Sequence, residues 1–207
     1  MENRAVEKTP MGRGRGGPPH VLRYCGMKPD ERTVVIANAA RLLKDAKLLV
    51  DHTRFASAFA LAVLGVEEIG KVILDIWASA APLSKSVVRR SAHIRKQAAV
   101  SSLLLGSFAV REFGTVVDDA NEELIQRVAE AFRLSPEGKL MSQVQGGALD
   151  KAKQLGLYHD DWLTDASLHA DQFSDADVHA IFSIARRAIE VVDDARIMRT
   201  GRAIYET

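Results

Sequence analysis

The residues with most chemistry to offer fall in two short runs. The first is Glu67-Glu68-Ile69-Gly70-Lys71 and the second is Arg89-Arg90-Ser91-Ala92-His93-Ile94-Arg95-Lys96. Together they carry two carboxylates, a histidine, the side-chain type that exchanges protons near neutrality, and several cations able to hold phosphate. With successive helical residues about 100° apart, Glu67 and Lys71 share one side of a helix, and Glu68 stands three before Lys71. Ala60, Leu61 and Leu64 precede them on that side, so the charges sit in a helix that is apolar nearly all round. A buried charge without a partner costs several kcal/mol, and each of these must therefore be paired or face a cleft. Gly70 points the same way: glycine costs about 1 kcal/mol against alanine in mid-helix and is tolerated where another backbone packs closely.

The elements that must position these groups are all helical. Apolar residues at three- and four-residue steps predict helix A over about Thr33 to Val50 and helix B over about Arg54 to Ala78, the most apolar segment and the expected centre. Helix C is expected from a Ser84 cap to Phe113, stopping at Gly114, and helix D from about Asp118 to Phe132. Helix E covers about Gly138 to Leu155 and carries a possible break at Gly146-Gly147. Helix F starts at the Ser174-Asp175-Ala176-Asp177 capping box and runs to about Thr200. No stretch alternates as a strand would, so the fold class is an all-α antiparallel bundle of about six helices. The short link at Pro82 makes B and C antiparallel neighbours. Glu67–Lys71 and His93–Lys96 stand at similar chain distances from that link, so the two charged runs meet at one height. This meeting reads in two ways: a charged cluster that fixes helix register, or a polar pocket.

The remaining candidates are weaker. Asn38, Arg41 and Asp45 share a face of helix A, with Asn38 the one expected to turn inward and the other two a surface stripe. His52, His159, His169 and His179 read as surface or packing residues, and Trp162 as a packing anchor or an exposed binding aromatic. Glu67 and Glu68 point about 100° apart on one helix and cannot chelate together, so no metal site and no cofactor are expected.

Composition narrows the class further. Lys plus Arg number 28 and Asp plus Glu 27, so the overall charge names no partner, but residues 1–29 alone hold Arg4, Lys8, Arg13, Arg15, Arg23 and Lys28 against Glu2 and Glu7. The basic character is confined to this stretch, whose glycines and prolines exclude helix and strand over residues 10–29. Two domains of unequal kind are expected: a flexible basic tail over residues 1–32 and a helical domain over 33–207. The Gly-Arg-Gly-Arg-Gly-Gly run reads either as a nucleic-acid-binding arm or as a merely solvated leader. A single cysteine, Cys25, excludes an internal disulfide framework. The longest apolar run, Phe55 to Val66, is too short to span a bilayer. A cytoplasmic protein without membrane contact is the expectation.

Asn38-Ala39, the run Phe55 to Lys71 ending Glu-Glu-Ile-Gly-Lys, and His93-Ile94-Arg95-Lys96 together resemble the AbiV family of bacterial abortive-infection proteins, a branch of the HEPN-like helical domains. Lys151-Ala152-Lys153-Gln154-Leu155-Gly156-Leu157-Tyr158, with Asp160, is similar to that family's basic Leu-Tyr-x-Asp segment. The likeness extends over about residues 33–200. It implies a dimeric phage-defence protein that halts phage or host protein production, answers a phage-encoded protein and acts on RNA or a nucleotide. The alternative is a non-catalytic sensor of a phage protein or nucleotide. Carried over motif by motif, the working cluster is Glu67, Glu68, Lys71, His93 and Lys96, supported by Asn38 and Tyr158; with these two, the cations Arg89, Arg90 and Lys151 are expected to bind the substrate. Many HEPN proteins are metal-independent ribonucleases with an Arg-x4-6-His motif. Here Arg89 and Arg90 stand too close to His93 for that motif, and the only matches, Arg13 or Arg15 with His20, lie in the tail.

Overall fold

The computed structural model describes residues 26–88, 90–114, 122–135, 138, 149, 153–154 and 173–206. Every regular element among them is helical. We number these α1 (Pro29–Asp51), α2 (Phe55–Ala80), α3 (Lys85–Val88), α4 (Ala92–Phe113), α5 (Glu122–Leu134), α6 (Asp175–Val191) and α7 (Ala195–Glu206). Six of them exceed two turns, in line with the expected bundle.

The apolar excess of α2 has the consequence that sequence suggests. It is the central rod, flanked by α1, α4 and α6, while α4 is backed in turn by α7. Ile69, Ile73 and Leu74 are fully buried, each contributing about 1.5–3 kcal/mol by leaving water. Small residues let the rods approach. Gly65 meets Leu43 and the Ala39 carbonyl of α1, and Gly106 of α4 lies against the backbone of Gly201 in α7. Where α2 ends, α7 caps it. Arg202 donates to the carbonyl oxygens of Trp77, Ala81 and Pro82 at 2.8, 3.1 and 3.3 Å. The Trp77 indole N–H donates to Met198 O at 2.9 Å, and its ring meets Tyr205 at 5.1 Å. These contacts hold the C-terminal end of α2 against α7.

Three helix ends differ from the sequence expectation. Helix α1 begins at Pro29, one turn early, because proline suits the first helical position and the Glu31 carboxylate reaches back to the Lys28 N–H at 2.9 Å. That turn is charged and carries no apolar signal. Expected helix C divides in two: α3 starts directly after Ser84, and α4 has its own cap in Ser91, whose Oγ accepts from the Ile94 N–H at 3.3 Å. Its far end falls at Gly114 as expected, with φ of 63°. Expected helix F starts at the Ser174 box and breaks after Val191. There Asp194 accepts from the N–H groups of Arg196 and Ile197 at 2.8 and 3.2 Å and starts α7. Of expected helix E, residues 138, 149, 153 and 154 are described and helical; the Gly146-Gly147 break lies outside the described residues. No described helix is long and apolar enough to cross a membrane.

Candidate functional site

Antiparallel packing of α2 on α4 is closest at Gly70, where a Cβ would collide with the Lys96 carbonyl oxygen. The glycine is thus what lets the two rods touch, and it sets the height at which their polar residues meet. Three residues before it on α2, Glu67 is 2% exposed. Its Oε2 accepts from His93 Nδ1 at 2.7 Å. Its Oε1 accepts from Gln97 Nε2 at 3.0 Å and from Lys153 Nζ at 2.8 Å. His93 and Gln97 stand one turn apart on α4, so one face of that helix supplies two donors. Lys153 comes from expected helix E and is itself 5% exposed.

A carboxylate so deep would ordinarily be pushed toward protonation by burial. Hydrogen bonds from Lys153 and His93, reinforced by the lysine charge, outweigh that effect and hold Glu67 below the usual carboxylate range. The Glu67–Lys153 pair is therefore an ion pair buried on both sides, 3% and 7% exposed at the side chains. His93 differs. Its side chain is 48% exposed while Nδ1 is held inward, and Lys153 Nζ stands 3.3 Å from that nitrogen. The arrangement presents an imidazole to solvent from a rigid, fully donated carboxylate, the layout that orients a proton-transferring histidine. Among the described residues no group of three His, Cys, Asp or Glu side chains could hold a metal ion.

The other anticipated site residues scatter around this centre. Glu68, Lys71 and Lys96 are half-buried. They form no ion pair within 4 Å among the described residues, so neither acid orients Lys71, and the meeting of α4 with Glu67 runs through His93 and Gln97. Arg90 is exposed. Asn38 is half-buried and accepts from Arg41 Nη2 at 3.0 Å, while Arg41 pairs with Asp45 at 2.8 Å; the three form one surface stripe with Asn38 drawn into it. Arg89, Lys151 and Tyr158 lie outside the described residues.

Two groups escaped the sequence reading. Gln97 is one turn beyond His93, and a four-residue step from a candidate histidine is the signal that points to it. Lys153 lies inside the basic Leu-Tyr-x-Asp segment, where the expected binding lysine is Lys151. Leu149 is 3% exposed, and Lys153, four residues later on the same face, is buried with it. A second buried acid on α2 was missed as well. Asp75 is 1% exposed and accepts from the Met27 N–H at 2.8 Å and from Arg32 Nε at 2.9 Å. Both partners belong to the stretch read as tail.

An all-α bundle with an acid-backed, solvent-facing imidazole at the junction of its two central rods defines a class. The HEPN_AbiV family model, described as AbiV, matches residues 30–190, and the chain belongs to that family of HEPN-type helical proteins, which ties it to abortive infection. No match is found among the curated proteins or among the solved structures.

Proposed function

We propose that the protein is an abortive-infection effector that stops protein production in the infected cell by acting on RNA, with His93 as the group that moves the proton. The observation that carries this reading is the exposed imidazole held through Nδ1 by buried Glu67. A merely structural histidine in such a network would have no need to face water. Lys96 follows His93 by three residues on α4 and exposed Arg90 lies just before that helix begins, and such cations would draw a phosphodiester toward the imidazole. General acid–base catalysis of this kind contributes about 10²–10⁴-fold. Glu67 is an orienting group here: all its described contacts are to donors, and it stays ionised.

A second reading has its own observation. The Glu67 carboxylate is saturated by three donors and its cation is buried, as in a register lock inside a non-catalytic sensor that binds a phage protein or a nucleotide. The Arg-x4-6-His motif of many HEPN ribonucleases is also missing from the helical part of the sequence. Incubating purified protein and a His93→Ala variant with total RNA separates the two. Cleavage leaving 2′,3′-cyclic phosphate ends, lost in the variant, is expected. No cleavage by the wild type, with phage protection intact, would favour the sensor. The phage-encoded trigger and a second copy of the chain complete the proposed assembly, and size-exclusion of the protein from infected and uninfected cells tests both.

A further inference from the structure

Three atoms crowd at the inner edge of the site: Glu67 Oε2, His93 Nδ1 and Lys153 Nζ, with 2.7 Å between the first two and 3.3 Å between the last two. Two hydrogen arrangements can be drawn for a neutral ring. Lys153 could donate to a bare Nδ1, leaving the proton on Nε2, but this sets a lone pair against a carboxylate oxygen at 2.7 Å. A proton on Nδ1 turns the same contact into a short charge-assisted hydrogen bond. The distance selects the second arrangement, and Nε2 is then a bare acceptor on the exposed side of the ring.

What keeps it so is the state of Glu67. A protonated Glu67 would donate to Nδ1 and drive the ring proton to Nε2, reversing the arrangement. Burial favours protonation; the Lys153 hydrogen bond and charge oppose it. Gln97 Nε2 and Lys153 Nζ both take Oε1, which leaves Oε2 for the histidine alone. We propose that Lys153 and Gln97 are positioning residues that, through Glu67, lock His93 as the Nδ1–H tautomer and so present Nε2 to a ligand as a hydrogen-bond and proton acceptor. The purpose of the lock rests on the reading of His93 as the working group, but its existence can be tested without substrate.

The test is long-range ¹H–¹⁵N NMR of the full chain labelled with ¹⁵N-histidine, at a pH where the ring is neutral, with His93→Gln used to assign the resonances. In the wild type, Nδ1 should resonate as a protonated, pyrrole-like nitrogen and Nε2 as a bare, pyridine-like one. Lys153→Arg should keep that pattern, and Lys153→Met should shift it toward Nε2–H. Lys153→Gln, which still donates but lacks the charge, should shift it too and serves where the Met variant does not fold. A wild-type His93 in the Nε2–H form, or an unchanged pattern in both Lys153→Met and Lys153→Gln, would overturn the proposal. Loss of RNA cleavage as an activity, with the Nδ1–H pattern in place, would sink the proposed function and leave the lock standing.

Discussion

Helix α2 buries two acids eight residues apart, and they make a natural pair for comparison. Glu67 and Asp75 are 2% and 1% exposed, and each is satisfied by a cation together with neutral donors. Asp75 takes the Met27 N–H and Arg32, a partner 28% exposed, and so pins the start of α1 to the far half of α2. Among the described residues, its hydrogen-bond partners are a backbone N–H and a guanidinium, neither of which exchanges a proton near neutrality. Glu67 takes a buried lysine, a buried amide and a half-exposed imidazole. Burial and pairing are shared by both acids and say nothing about function. The imidazole, anchored inside and open outside, is what separates the proposed site from a staple.

That contrast fails if the two acids behave alike when broken. Lys153→Met leaves a carboxylate buried without its cation and should cost about 3–5 kcal/mol, read as a drop in the urea midpoint. Arg32→Met should cost less, about 1–3 kcal/mol, because water can reach the vacated place and the Met27 N–H remains. A larger loss from Arg32→Met would reverse the comparison. Between the two acids, Gly70→Ala forces a Cβ onto the Lys96 backbone and should destabilise by about 1–3 kcal/mol. It should also displace α4 and with it His93, so the NMR resonances of the His93 ring should move while those of residues around Asp75 stay.

Acidification sharpens the contrast by a smaller amount. Glu67 is held below its ordinary range in the folded state, so its contribution is fully present above the unfolded-state value and is lost as pH falls through the lower, folded one. Unfolding free energy should therefore rise with pH across the acid range, and the part of that slope due to Glu67 should be missing in Glu67→Gln. An unchanged slope in that variant would show that the buried pair is not what acid breaks.

How much of this was legible in the chain depends on whether contacts were local or carried a pattern. The α2–α4 meeting was readable because Gly70 advertised a close backbone and the Pro82 link set both charged runs at one height. Which residues on α4 meet Glu67 was only half readable: His93 does, but Lys96 spends its backbone on Gly70, and Gln97 one turn from His93 has no charge to draw notice. Lys153 lies 86 residues from Glu67, and among two neighbouring lysines only its spacing from buried Leu149 marks it. Asp75 was invisible because its partners precede the apolar periodicity of α1. Helix ends departed from expectation where a second serine, Ser91, caps a new helix, and where Asp194 restarts the chain inside an otherwise unbroken helical pattern.

The central claim is that His93 is the working group and Asp75 a staple, and phage protection in living cells reads it most directly. Cells expressing the wild type, His93→Ala and Asp75→Asn, each confirmed folded by circular dichroism and thermal melt, would be challenged with phage and scored by plaque count. Protection should vanish with His93→Ala and persist with Asp75→Asn. Protection surviving His93→Ala in folded protein would contradict the account.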